Sequence, residues 1–134
     1  MPLVHRLLVA AVVLVGLTTT ASSAATPRAT HGPLTGTWKG VLSDGTKKEP
    51  LTITVNGRQN AGTWKVSASC HGKLTLDSIS DGSHHFRRHL ASGSTCAGGD
   101  IDCLWPYGKT VYDNVTPRPG GWSRNGTLHR VKTA

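Results

Sequence analysis

Leu51-Thr52-Ile53-Thr54-Val55 alternates apolar and hydroxyl-bearing side chains without a break, and Asn56-Gly57 follows at once. Strict period two marks a strand buried on one face, and Asn-Gly is the strongest short hairpin signal because both central residues of its turn take positive φ. The stretch therefore predicts a strand and an antiparallel partner. Gly62 to Cys70 supplies the partner, with Trp64, Val66, Ala68 and Cys70 inward and Lys65, Ser67 and Ser69 outward. On the other side, Leu34 to Leu42 alternates as well, placing Leu34, Gly36, Trp38, Gly40 and Leu42 on one face, and Ser43-Asp44-Gly45 turns the chain between the two.

The pattern continues downstream. Gly72 to Ile79 reads as a fourth strand through Leu74 and Leu76, turned by Ser80-Asp81-Gly82-Ser83. His84 to Leu90 is the fifth, with Phe86, Arg88 and Leu90 on its apolar face, and a Gly-rich connection runs through Cys96 to Gly99. Asp100 to Trp105 is the sixth, with Ile101, Cys103 and Trp105 expected inward and both Asp outward. Trp105-Pro106-Tyr107-Gly108 turns, Thr110 to Tyr112 is a short seventh strand, Asn114 to Asn125 is a Pro/Gly loop, and Gly126 to Lys132 closes as the eighth. Turns about every 8 to 12 residues with no helical stretch predict an all-β fold, an antiparallel up-and-down β-barrel of about eight strands.

The chain has 134 residues, with 15 Lys and Arg against 7 Asp and Glu. A charged partner of such a basic protein is acidic. Met1 to Arg6 is positive, Leu7 to Leu17 is unbroken apolar, and Thr18 to Ala25 is small and polar, the three parts of a signal peptide over 1–25. The apolar run is short of the ~20 residues that span a bilayer, so no membrane span is expected once the signal is removed. Thr26 to Pro33 reads as a flexible lead, and 34–134 as one secreted domain.

Three cysteines outside the cell allow one bridge, and spacing alone leaves three pairings open. Cys70 and Cys96 at strand edges favour a staple between them, with Cys103 a buried filler; the rival reading is a reactive thiol or one that joins two chains, so a monomer is expected unless Cys103 is exposed.

Gly36-Thr37-Trp38 at the head of the first strand resembles the Gly-x-Trp signature of the calycin barrels, the lipocalin and avidin-like proteins. The resemblance implies that Trp38 closes one barrel end beneath Arg130 of the last strand. Gly36-Thr37-Trp38-Lys39-Gly40, Cys70-His71-Gly72-Lys73-Leu74-Thr75-Leu76, Cys96-Ala97-Gly98-Gly99 and Gly126-Thr127-Leu128-His129-Arg130, in that order, are similar to small extracytoplasmic domains of high-GC Gram-positive bacteria. Some of those stand alone behind a signal peptide and others form the outer portion of membrane Ser/Thr kinases. This second resemblance implies a Cys70–Cys96 staple and no catalytic activity. The kinase association does not carry over, since nothing in this chain is a kinase, and Phe86-Arg87-Arg88-His89 is basic where that group tends to be acidic.

Two binding sets follow. Lys39, Lys65, His85, Arg87 and His89 fall outward on strands and suit an anionic cell-envelope polymer. Trp64, Phe86, Arg88 and Trp105 fall inward and would line a barrel chamber for a small apolar or amphipathic ligand, with Gly36 and Gly40 leaving space. Inward Arg88 must be paired or lead to a wet cavity. Nucleic acid is not expected as a partner, because inward Trp residues form no stacking platform. His85 and His89 are about 13 Å apart by strand rise, so no metal is expected, and no cofactor motif is present. Gly121-Trp122-Ser123-Arg124-Asn125 lacks the closing Gly of a nucleophile elbow and Glu49 is the lone Glu, so an enzyme is not expected and a small hydrolase is the weakest reading. A further alternative is an inhibitor or interaction module presenting Pro117, Pro119 and Trp122 from the 114–125 loop.

Overall fold

Eight strands make up the computed structural model, which describes residues 32–132, and no helix occurs among them. They are β1 (Gly36–Ser43), β2 (Lys48–Val55), β3 (Ala61–Ser67), β4 (Cys70–Ser80), β5 (Ser83–Leu90), β6 (Ile101–Tyr107), β7 (Thr110–Thr116) and β8 (Arg124–Arg130). Each pairs antiparallel with its sequence neighbour, and β8 returns to β1 through Trp38↔Arg130 and Ser43↔Asn125, closing the barrel. Closure leaves no strand edge to mispair. The expected signal segment 1–25 and most of the lead lie outside the described residues.

In an up-and-down barrel successive connections alternate between ends. The β2–β3, β4–β5 and β6–β7 hairpins share one end with the start of β1 and the finish of β8. The β1–β2 and β3–β4 turns share the other with two longer loops, 91–100 and 117–123.

At the hairpin end Leu34 is fully buried. Trp38 Nε1 donates to the Leu34 carbonyl at 2.8 Å, and the Leu34 N–H donates to Gln59 Oε1 at 2.8 Å. Arg130 lies with Cζ 4.3 Å from the Trp38 ring centroid and donates to the Thr35 carbonyl at 2.7 Å. Gly36, at φ 121°, makes room for this, since a Cβ there would lie 2.5 Å from Arg130 Nη1. The gaps expected at Gly36 and Gly40 are therefore not cavity; a guanidinium fills one, and Thr127 and Leu128 of β8 fill the other.

Several boundaries differ from expectation. The Asn56-Gly57 hairpin forms, but through a five-residue loop between Val55 and Ala61 in which Gln59, not Gly57, takes positive φ, at 54°. The tight two-residue turn falls instead at Asp81-Gly82, with φ 51° and 79°. β3 stops at Ser67, leaving Ala68 exposed in a turn, so Cys70 opens β4. Leu90, expected on the apolar face of β5, is 43% exposed because the strand runs past the barrel end. β7 extends to Thr116 and β8 begins at Arg124, which shortens the expected long loop.

β6 reverses the expected faces. Asp102 and Leu104 are wholly buried inside, while Ile101, Cys103 and Trp105 face the other way. Cys103 is nevertheless buried, with its thiol 3.7 Å from the Thr116 hydroxyl and its pKa raised mainly by that burial. The Cys70–Cys96 disulfide fastens β4 to loop 91–100 and leaves Cys103 free. Such a bridge fits an oxidising compartment.

Candidate functional site

The loop-end half of the interior is charged. Arg88 of β5 binds Asp102 of β6 with two parallel bonds, Nε to Oδ2 at 2.6 Å and Nη2 to Oδ1 at 2.7 Å. Its Nη1 donates to Glu49 Oε1 of β2 at 3.0 Å, and its guanidinium lies 5.0 Å from the Trp64 ring centroid. Arg124 of β8 takes the other Glu49 oxygen, with Nε 2.8 Å from Oε2 although the N–H is not aimed at it. Arg124 Nη2 reaches Asp100 Oδ2 at 2.9 Å, and Arg118 adds its backbone N–H at 2.7 Å and its guanidinium at 3.2 Å to the same carboxylate. Asp113 of β7 completes the series beside Asp102.

Alternation of sign explains how these groups tolerate burial. Burial by itself lowers the Arg88 pKa, but Asp102, Glu49 and Asp113 outweigh it and hold the guanidinium above its ordinary value. Burial raises the Asp100 pKa, and the Arg118 backbone N–H with the Arg124 and Arg118 guanidiniums outweighs that, leaving it below the usual range. Asp113 goes the other way; burial first, then the negative charge of Asp102, hold its carboxyl well above 3.8. Three guanidiniums thus face four acids, Glu49, Asp100, Asp102 and Asp113, so the charges inside the barrel are largely paired with one another.

No chamber remains for an apolar ligand. Leu51, Ile53, Phe86, Leu104 and Leu128 fill the barrel above the Trp38 plug, and Leu42 and Leu74 pack level with Glu49 and Arg88, each 0 or 1% exposed. Trp64, Phe86 and Arg88 do point inward, but as members of this packed interior. Trp105, the fourth residue expected there, stands on the outer wall. Trp122 is not a free contact either; it stacks against Arg124 at 4.7 Å and Lys47 at 5.7 Å, and lids the loop end. Among the described residues no group of three His, Cys, Asp or Glu is placed to hold a metal.

The outer wall is where charge is unspent. Of thirteen Lys and Arg within 32–132, Arg88, Arg118 and Arg124 belong to the interior network, leaving ten outside it against Asp44, Asp77 and Asp81. Lys39, Lys65 and His89 are exposed, although His89 Nε2 lies 2.7 Å from the Thr75 hydroxyl. Arg87 is engaged by Asp77 at 3.3 Å, and His85 Nε2 is 2.7 Å from the Ser83 hydroxyl, so those two are already partnered. The pairing register aligns the rest. His129, Lys39, Thr52, Lys65 and His71 succeed one another directly across β8, β1, β2, β3 and β4, every side chain outward. Lys73 and His89 face each other one step along. That His71, Lys73 and His129 line up with Lys39 and Lys65 is not legible in the sequence, because period two assigns a residue to a face but not to a row.

What the coordinates define is thus a closed eight-stranded antiparallel barrel with a filled interior, its charges paired at one end, and a basic outer wall. The chain matches no known protein family, curated protein or solved structure.

Proposed function

We propose that the protein is a secreted, non-catalytic binding protein that holds an anionic cell-envelope polymer on its outer wall. The supporting observation is the row of Lys39, Lys65, His71 and His129, which runs across the strands with no acid on it. A rigid sheet holds these groups at fixed spacing, so a linear polyanion meets several at once. The filled interior favours this outer surface over a ligand held inside the barrel. Export behind residues 1–25, the likeness to extracytoplasmic domains of Gram-positive bacteria and the calycin-like kinship belong to the same proposal.

The test is co-sedimentation of the full chain with isolated cell walls, before and after their anionic polymers are stripped. Binding is expected to fall steeply as salt rises and to vanish on stripped walls, since each cation that meets an anion releases a counterion. Retention that ignores salt would count against the proposal.

A further inference from the structure

The row of lysines and histidines does not end at His129. Followed the other way it passes through Thr110 of β7 to Tyr107 of β6, at positions directly paired in the register. Tyr107 is 79% exposed. Beside it, Trp105 faces Tyr112 across the β6–β7 ladder, with ring centroids 6.1 Å apart and planes inclined by 39°. The three rings, with Pro106 and the hydroxyls of Thr110 and Thr127, line a groove of about 650 Å³ on the outer wall.

These aromatics lie outside a core that is already full, so packing does not account for them. Their chemistry narrows the occupant. The Thr110 hydroxyl already donates to the Tyr107 carbonyl at 3.0 Å, which leaves the Thr127 hydroxyl at the border of flat apolar ring faces, an arrangement that suits a ligand with C–H faces and hydroxyl edges, as a pyranose ring has. The same row then offers His129, Lys39 and Lys65, and the outward acids Asp44, Asp77 and Asp81 are all off it. From Tyr107 to His71 the row crosses seven of the eight strands, so it winds around the closed barrel, a contour of about 29 Å at the usual strand spacing that a ligand must follow as a curve.

We infer that groove and row are one continuous site for an anionic polysaccharide, whose sugar rings seat on Tyr107, Trp105 and Tyr112, whose charges meet Lys39 and Lys65, and which passes the His129 imidazole between them. The inference rests on the polyanion-binding proposal and specifies its ligand class. Rings confer preference for a sugar backbone; cations confer affinity.

The experiment measures binding of the full chain to two anionic glycans, hyaluronate and polygalacturonate, and to polyphosphate, a polyanion without rings. Tyr107→Ser is expected to weaken binding to the better glycan by about tenfold, a ring-stacking contribution, while leaving polyphosphate binding and the melting temperature unchanged. Tyr107→Phe keeps the ring and is expected to keep the binding. Lys39→Gln is expected to weaken glycan and polyphosphate alike. If polyphosphate binds as tightly per charge as both glycans, or Tyr107→Ser leaves them equal to wild type, the glycan inference fails and the polyanion proposal survives. Wild-type protein that binds none of the three overturns both. Self-association that Tyr107→Ser abolishes assigns the groove to a second copy of the chain and overturns the glycan site alone.

Discussion

No N–H reaches either carboxyl oxygen of Asp113, and the neighbour bonded to it is another acid, Asp102. Burial first, then the negative charge of Asp102, make Asp113 hold its proton to higher pH than an ordinary carboxyl group. Unfolded, the group ionises near 3.8; folded, it keeps its proton to higher pH. Its favourable contribution is therefore complete below 3.8 and is lost as pH rises toward the folded value. Asp113→Asn, which stays neutral and still donates to Asp102, is expected to melt above wild type at pH 7, with the gain closing in acid. A pH-independent gain in a melting series would contradict the raised pKa. Asp100 has the opposite sign, since its folded pKa is lowered; its contribution is present above 3.8 and disappears as pH falls. Asp100→Asn should melt below wild type at neutral pH and converge on it in acid. Arg88 compensates two carboxylates at once, so Arg88→Met is expected to cost about 3–5 kcal/mol by denaturant titration. Adding Asp102→Leu should recover part of that loss. At the other end, Trp38→Ala removes the barrel plug, and about 3–5 kcal/mol is expected to go with it.

Among the elements, β6 shows where period-two reasoning needs a second constraint. Asp100-Ile101-Asp102-Cys103-Leu104-Trp105 alternates acid with apolar and so reads as acids outward. The opposite holds because β5 presents Arg88 and β8 presents Arg124 to the interior, and a buried guanidinium needs a carboxylate more than the core needs Ile101. A signal was present: Val111-Tyr112-Asp113-Asn114-Val115 places an acid in phase with two valines, and Glu49 is in phase with Leu51 and Ile53. Inward Arg88 was legible from Phe86 alone, and its need of a partner followed; which acids answer it did not, because they lie on strands distant in sequence. The Cys70–Cys96 pairing was anticipated, although the face argued for Cys103 was reversed. Closing a loop with a sequence separation of 26 is expected to contribute about 3–4 kcal/mol on the chain-entropy model, so reduction should lower the denaturation midpoint accordingly. Reduction without effect would mean that loop 91–100 is held by its backbone bonds alone.

Across the whole molecule, closing the barrel separates charge by sign. Four of the seven acids turn inward, and within residues 32–132 the wall keeps ten Lys and Arg against three acids. The surface is therefore more one-sided than composition suggests, and binding to polyphosphate is expected to fall log-linearly with salt. Lys39→Gln and Lys65→Gln should each reduce that slope by about one, whereas Lys109→Gln, off the row, should change it less. Equal effects from all three would assign binding to diffuse net charge rather than to a built row. By itself the sequence determined the strand order, the all-β class, the Trp38 face and the excess of cations, because these depend on local periodicity, turn chemistry and counting. Only the tertiary structure decided that the barrel is full, that four of its acids are inside and that outward lysines, histidines and rings fall along one register row around the barrel. Those follow from register and closure, in which each strand's position depends on partners tens of residues away.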